Sequence, residues 1–290
     1  MSHDPQRTSH LSVDAWGIGP GELEEIRPGR FVHLRRHEGG ARADTTVFLC
    51  HGAGGNKHQW RHQWQALVAA GYRVVAWDFL GHGQSPQPRQ REAYASDALA
   101  EDYRQLVSTF GSARNVLVAH SYGARLTLAV LLALHRDGRL GDIDRVALLG
   151  TPPASEKLAR GPLAWLPTGL LELLRPLLAR GFRRRAWHPD ADRALVAHEE
   201  AVARRNSLHV FKSLLAGAAP IAPQVLPQLD LPVLLLAGDS DGLTPAAIAA
   251  DLATRLPRAE LHVVPRCGHQ IMLEQPEETN ARLHAFLAAA

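Results

Sequence analysis

Residues Arg114 to Arg125 read R-N-V-L-V-A-H-S-Y-G-A-R. Val116, Leu117, Val118 and Ala119 form a short unbroken apolar run, the pattern of a strand buried on both faces, and from Tyr122 the apolar residues recur at helical spacing. Ser121 therefore falls on an abrupt strand-to-helix turn. Such a turn needs small neighbours, because the serine backbone takes a sterically poor conformation and the flanking chain passes close by. Ala119 and Gly123 stand two residues to either side. The geometry lifts the hydroxyl clear of the backbone and leaves the first amide of the new helix facing any negative charge that develops there. This nucleophile elbow is usually spelled Gly-x-Ser-x-Gly, and Ala119 here replaces the first glycine. The plainer reading is a serine that only caps a helix.

Working outward, the same strand-turn-helix grammar repeats. Upstream, Phe31 to Leu34 predicts a first strand and Val47 to Cys50 a second, which ends in the glycine-rich turn His51-Gly52-Ala53-Gly54-Gly55 before a helical pattern from Lys57 to Ala70. Val74 to Trp77 predicts a strand ending at Asp78, and Ala95 to Phe110 an amphipathic helix. Downstream come a helix over Tyr122 to Arg136, a strand over Val146 to Leu149, and a break at Gly150-Thr151-Pro152-Pro153. No strand signal follows until Val233 to Ala237, which is succeeded by a helix over Pro245 to Leu256, a strand over Leu261 to Val264 and a last helix from Pro276. Strands alternating with helices predict an α/β protein with a mostly parallel central sheet flanked by helices. The expected division is a mobile N-terminal tail over 1–14, a core formed by 15–151 and 229–290, and a helical cap or lid inserted over 152–228.

Composition narrows the function classes. A chain of 290 residues, 46% hydrophobic and 21% charged, can bury a sizeable core and is not a disordered polymer. The formal charge is only +3 and the arginines are interspersed with acids, which argues against nucleic acid as the partner. Two cysteines, Cys50 and Cys267, make neither a disulfide framework nor a metal-binding spacing. The start M-S-H-D-P-Q-R-T-S-H lacks the apolar core of a secretory signal, so a cytoplasmic location is expected. Leu163 to Leu178 is the most apolar stretch, but Pro167, Glu172, Arg175 and Pro176 interrupt it, so no transmembrane segment is expected. It remains compatible with peripheral contact at a membrane surface. Nothing in the sequence specifies an oligomeric state.

A serine hydroxyl is a poor nucleophile at neutral pH, so it needs a base, and the base needs a partner that fixes its tautomer. The acid candidates lie after the Val233 strand in Gly238-Asp239-Ser240-Asp241-Gly242-Leu243-Thr244-Pro245. Asp241 is preferred, because Asp239 directly follows Gly238 and is placed to bond loop amides; Asp239 stays open as the alternative. Among 16 histidines, His269 is the late one on a glycine-preceded loop after the last strand. The order Ser121, Asp241, His269 is the chain order expected of such a triad. The backbone N–H groups of Ala53 and Tyr122 are the candidate oxyanion donors. His51, Asp78 and His82 read as structural supports of the neighbouring loops.

Five stretches, H-G-A-G-G from His51, D-F-L-G-H-G-Q-S from Asp78, A-H-S-Y-G from Ala119, G-D-S-D-G-L-T-P from Gly238 and G-H-Q-I-M-L-E-Q-P from Gly268, follow in that order. With them the chain resembles the α/β-hydrolase superfamily over nearly all its length except the tail and the insertion. A-E-D-Y-R-Q-L-V from Ala100, then the elbow stretch, looks closest to a branch of abhydrolase-domain proteins. The resemblance implies the α/β-hydrolase fold, a Ser-Asp-His triad, an oxyanion hole, no cofactor, and a lid inserted after the sixth core strand. It also implies that a serine at position 121 departs from the haloalkane dehalogenase and epoxide hydrolase branches, which use aspartate there.

The insertion is rich in leucine, and Trp165, Leu170 and Leu174 are candidates to touch a substrate, although such stripes also serve simply to pack a cap onto its core. Arg183, Arg184 and Arg185 read as a solvated face. The expected activity is a serine esterase of the carboxylesterase or lipase-like kind, acting on a small hydrophobic ester. Cleavage of a carbon–carbon or amide bond, or acyl transfer, uses the same parts, and a ligand-binding protein with an idle hydrolase pocket is the reading from another class.

Overall fold

The short apolar runs become neighbours in one sheet. In the computed structural model, which describes residues 17–153 and 168–289, the strands are β1 (Glu22–Arg27), β2 (Arg30–His37), β3 (Arg42–Cys50), β4 (Tyr72–Asp78), β5 (Arg114–His120), β6 (Arg145–Leu149), β7 (Val233–Gly238) and β8 (Ala259–Val264). Their order across the sheet is β1-β2-β4-β3-β5-β6-β7-β8, with β3 to β8 parallel and β1 and β2 joined antiparallel at one edge. Cys50 is in register with both Trp77 and Ala119. The turns after β3, β4 and β5 therefore emerge side by side at the carboxyl ends of the strands, the edge at which open α/β sheets bind ligands.

Because side chains alternate along a strand, each apolar run feeds two cores. Phe48 and Leu117 face the core closed by α2 (Ser96–Phe110) and α3 (Tyr122–Arg136), while Val47, Leu49, Val116 and Val118 face the core closed by α1 (Arg61–Ala69) and the C-terminal helix Pro276–Ala288. The sheet starts one strand before Phe31, where the sequence predicts the first strand. β1 reads E-L-E-E-I-R, and of these residues only Ile26 is buried. A charged edge strand keeps its exposed face soluble and hides its periodicity.

Between β6 and β7 the described residues form α4 (Thr168–Ala186), α5 (Arg193–Arg204), α6 (Leu208–Gly217) and a short turn at Pro223–Gln228, with no strand among them. The Asp192 carboxylate caps α5 by accepting from Ala194 N and Leu195 N, and the Ser207 hydroxyl caps α6 by accepting from His209 N. These helices are joined to the core by a buried Arg61–Glu199 ion pair at 2.8 Å. Trp165 and the 1–14 tail lie outside the described residues. No described helix is long and apolar enough to cross a membrane. After β7 follow α7 (Ala246–Arg255), β8, α8 (Ile271–Glu274) and α9 (Pro276–Ala288).

One ion pair sets the two glycine-rich turns. Lys57 and Asp78 have side chains 0% exposed, with Nζ 2.7 Å from Oδ2. The Asp78 carboxylate also accepts from Lys57 N (2.7 Å) and Gln84 N (3.0 Å), and Lys57 Nζ donates to Gln84 Oε1 (3.2 Å). A Cβ at Gly83 would lie 2.3 Å from Asp78 Oδ2, so the turn must be glycine there. Burial pushes the Asp78 carboxyl up, but the Lys57 ammonium, His51 and the bonds from Gln84 and Lys57 bring it below its ordinary value. Removing one member strands the other charge in the interior. Lys57→Ala should therefore cost about 3–5 kcal/mol of unfolding free energy; a urea-unfolding midpoint equal to wild type would show that the pair is not structural.

Candidate active site

Ser121 takes its geometry from the junction of β5 and α3. Its φ of 53° and ψ of −118° lie where side chains are rarely found, a conformation costing about 1–3 kcal/mol. Ser121 N donates to Leu149 O (2.9 Å) and Arg125 N to Ser121 O (3.2 Å), which hold the turn. A Cβ at Gly123 would sit 2.4 Å from His51 O and 2.8 Å from Cys50 O, so that position must be glycine. Ala119, the departure from the usual motif, buries its methyl in the core.

His269 Nε2 lies 2.9 Å from Ser121 Oγ, and His269 Nδ1 lies 2.7 Å from Asp241 Oδ2. An ionised carboxylate can only accept, so Nδ1 carries the proton toward Asp241 and Nε2 is left to accept from the serine hydroxyl. Asp241 Oδ1 accepts from Leu243 N (2.8 Å) and Thr244 N (2.9 Å), and the Thr244 hydroxyl donates to Oδ2 (2.6 Å). Burial pushes the Asp241 carboxyl up, yet the bond from His269, its charge, and the hydroxyl and amide of Thr244 outweigh it and bring it down to about 2. Asp239, the alternative acid, instead accepts from Arg266 N (2.9 Å) and Cys267 N (3.1 Å) and fastens the loop that carries His269. Gly150 leaves room for the imidazole, since a Cβ there would be 3.1 Å from two of its atoms.

Ala53 and Tyr122 line the same cavity as Ser121 and His269, and their amides meet no acceptor among the described residues. Gly52 lets the first turn close over the serine, because a Cβ would be 2.8 Å from His120 Nδ1 and 3.1 Å from Ser121 Cβ. Gly54, the next residue, is fixed through both its N–H and its C=O. Gly54 N donates to His82 Nε2 (3.0 Å), and Asn206 Nδ2 of the inserted region donates to Gly54 O (2.6 Å). Two N–H groups thus stand near the serine with their surroundings already organised.

The cavity above Ser121 encloses about 720 Å³. Phe182, Phe211, Leu215, Leu226, Ile248 and Leu252 supply much of its apolar wall. The helices between β6 and β7 therefore contribute through Phe182, Arg185, Phe211 and Leu215 rather than through Leu174, which is half-buried and outside that wall. The reason lies in how α4 is seated. Its C-terminal end is bonded to the loops that carry Asp241 and His269, Gly242 N to Arg185 O (2.8 Å) and His269 N to Ala186 O (2.7 Å). Leu174 lies some three turns back, about 16 Å along the axis. Leu170 falls on the same helix, and its side chain lies outside the described part.

Two participants escaped the sequence reading. Thr244 follows Asp241 by three residues, a spacing at which a turn aspartate bonds amides and a hydroxyl ahead of it, and this was the available signal. Arg183, Arg184 and Arg185 are all exposed, as a solvated face requires; Arg183 pairs with Glu200, while the Arg185 Nε and Nη2 also donate to Gly242 O at 2.8 and 2.6 Å.

A model of the alpha/beta hydrolase family matches residues 47–282. The chain is similar to Protein ABHD8 of Bos taurus, with 32% identity over 278 residues that cover 93% of this chain and 63% of that protein. It thus spans about three fifths of the length of the ABHD8 proteins it matches. It is also 30% identical over 275 residues to the 2-hydroxy-6-oxononadienedioate/2-hydroxy-6-oxononatrienedioate hydrolase of Paraburkholderia xenovorans (strain LB400), covering 89% of this chain and 91% of that one. Among solved structures, the esterase EaEST from Exiguobacterium antarcticum superposes with a TM-score of 0.80 at 18% identity, covering 93% of this chain and all of that one, a likeness of fold.

Three buried histidines surround the site in neutral form. His51 Nε2 accepts from Phe79 N (3.3 Å) while Nδ1 donates to Gly52 O (2.8 Å); His82 Nε2 accepts from Gly54 N; His120 Nε2 donates to His269 O (2.9 Å), and its buried Nδ1 meets no partner among the described residues. Burial lowers all three, His51 to about 4 and His82 and His120 to about 3. Between the ordinary value near 6.5 and these depressed values, the unfolded chain binds protons that the folded chain refuses. Their contribution to stability is whole above about pH 6.5 and is lost as pH falls, by up to about 1.4 kcal/mol per pH unit for each ring. Urea midpoints measured from pH 7.5 to 4.5 should fall steeply below pH 6.5, and His82→Gln, whose amide oxygen can accept the Gly54 bond, should fall less steeply. A flat wild-type profile would mean that these rings charge freely in the fold.

Proposed function

The chain belongs to the alpha/beta hydrolase family, and we propose that it is a serine hydrolase cleaving a carboxylic ester with a hydrophobic acyl or alcohol part through an acyl-serine intermediate. The observation that carries this reading is the unbroken chain of bonds from Ser121 Oγ to His269 Nε2 and from His269 Nδ1 to Asp241 Oδ2, opening into an apolar cavity. Ser121 Oγ attacks the ester carbonyl as His269 Nε2 takes its proton. Asp241 holds the imidazole in the required tautomer and stabilises the imidazolium that forms. The carbonyl oxygen, now an anion, is met by the N–H groups of Tyr122 and Ala53, each such donor being worth about 2.7–4 kcal/mol of barrier. Collapse breaks the ester C–O bond, and His269 returns the proton to the departing alkoxide oxygen. Water then repeats the sequence on the acyl-serine, releasing the carboxylic acid.

A substrate with an apolar part of moderate size matches the cavity, whose wall carries Phe182, Phe211, Leu215 and Leu226 on the side of the inserted helices. A second reading, carbon–carbon hydrolysis, draws on the similarity to the Paraburkholderia hydrolase. The same three groups would serve, with the proton delivered to carbon instead of oxygen.

Ser121→Ala should lower kcat on short and medium acyl esters by roughly five to six orders of magnitude, and Asp241→Asn by about 10⁴-fold with the structure intact. Product analysis of an ester and a carbon–carbon substrate assayed side by side separates the two readings. Wild-type turnover by Ser121→Ala would remove Ser121 from the chemistry altogether.

A further inference from the structure

His269 belongs to no helix or strand. It sits in the link between β8 and α8, where backbone groups have no regular partners, yet its side chain must be held to a fraction of an ångström. The main chain around it is suspended by tertiary bonds. Gly268 N donates to Glu274 Oε2 (3.1 Å) and Gln270 N to Glu274 Oε1 (3.0 Å), so one carboxylate grips the backbone N–H groups of the residues before and after the histidine. His269 N donates to Ala186 O of α4 (2.7 Å), and His120 Nε2 donates to His269 O (2.9 Å). Glu274 Oε2 takes a further bond from His188 N (2.8 Å), on the segment that leaves α4. A Cβ at Gly268 would lie 2.7 Å from both Ala186 O and His188 N, so the two segments are in direct contact.

Glu274 is the last residue of α8, in the stretch G-H-Q-I-M-L-E-Q-P whose glutamate the mechanism above leaves unused. Burial raises its carboxyl above the ordinary value, against the pull of three amides and the nearby His188. A half-desolvated carboxylate is costly unless its acceptors are filled, and here they are filled by the N–H groups of Gly268 and Gln270, on either side of His269, and of His188 at the exit of α4.

We propose that Glu274 is the positioning residue for His269, holding the imidazole at the reach of Ser121 and making that reach depend on how the end of α4 is seated. The inference rests on the reading of His269 as the general base. Glu274 touches no reacting atom. It fixes where the base stands, and a displacement of about 1 Å at such a group is enough to cost about 10²-fold in rate.

The test compares wild type, Glu274→Gln and Glu274→Ala, with Ser121→Ala as control, reading kcat and KM on a soluble short-chain ester and the rate constant for covalent labelling of Ser121 by a fluorophosphonate. Rates are normalised to sites titrated at the end of labelling. Glutamine keeps the size and one acceptor oxygen, so Glu274→Gln should fold, lose about 10-fold in kcat and in labelling rate, and keep KM within about twofold; Glu274→Ala should lose about 100-fold. Partial retention by the isosteric variant with a kcat-only loss marks positioning. Per-site rates equal to wild type in Glu274→Gln, or a loss that tracks only the fraction of folded protein or appears in KM, overturn the proposal. Should Glu274→Ala fail to fold, Glu274→Gln alone decides. Failure of the serine-hydrolase reading itself would appear separately, as an active Ser121→Ala or a wild type that resists labelling.

Discussion

The constraint on which the arrangement depends is the left-handed backbone of Ser121. A β-strand buried on both faces must stop and a helix must begin within one residue, and no relaxed conformation of a side-chain-bearing residue does this. The strain persists because its surroundings leave no alternative. β5 is fixed by its neighbours β3 and β6, α3 is packed into the core through Leu126 and Leu131, and Gly123 yields the space that the β3 turn requires. The apolar burial of strand and helix thus holds one hydroxyl out from the sheet. Roughly 1.5–3 kcal/mol for each fully buried large side chain comfortably outweighs one strained residue.

Around that residue the other groups arrive from separate turns at one edge of the sheet. Asp241 follows β7, His269 follows β8, and Ala53 follows β3, each delivered by a strand parallel to β5 whose carboxyl end opens at the same edge of the sheet. Each arriving group is then tied by side chains of its own. Thr244 orders Asp241, Asp239 and Glu274 order the His269 loop, and His82 with Asn206 orders the Gly54 peptide. The segment between β6 and β7 also bonds these turns, through Ala186 at the end of α4 and Asn206 between α5 and α6, so it is part of the frame of the site as well as a wall of its cavity.

Much of this was legible in the residues. The inner strands announce themselves as unbroken apolar runs because both faces are buried, and the elbow is spelled out in the five residues around Ser121. Asp241 and His269 could be found because strand ends and glycines mark the loops that carry them. What stayed hidden has physical causes. β1 buries only Ile26, so its charges erase the alternation. Lys57 looks like a surface lysine, since its partner Asp78 stands 21 positions away and only the folded sheet brings them together. The cavity wall could not be assigned to Leu174 or Phe182 by composition, because that choice depends on which end of α4 is fastened to the loops that carry Asp241 and His269.

The isolation of Lys57 and Asp78 from solvent has a consequence for the medium in which the protein works. Dissolved electrolyte weakens attraction between charges only where mobile ions can gather about them. Pairs at the rim, such as Arg255 with Asp251, are open to that atmosphere. The inner pair is sealed away from it, so the turns beside Ser121 keep their shape in brine as in dilute buffer.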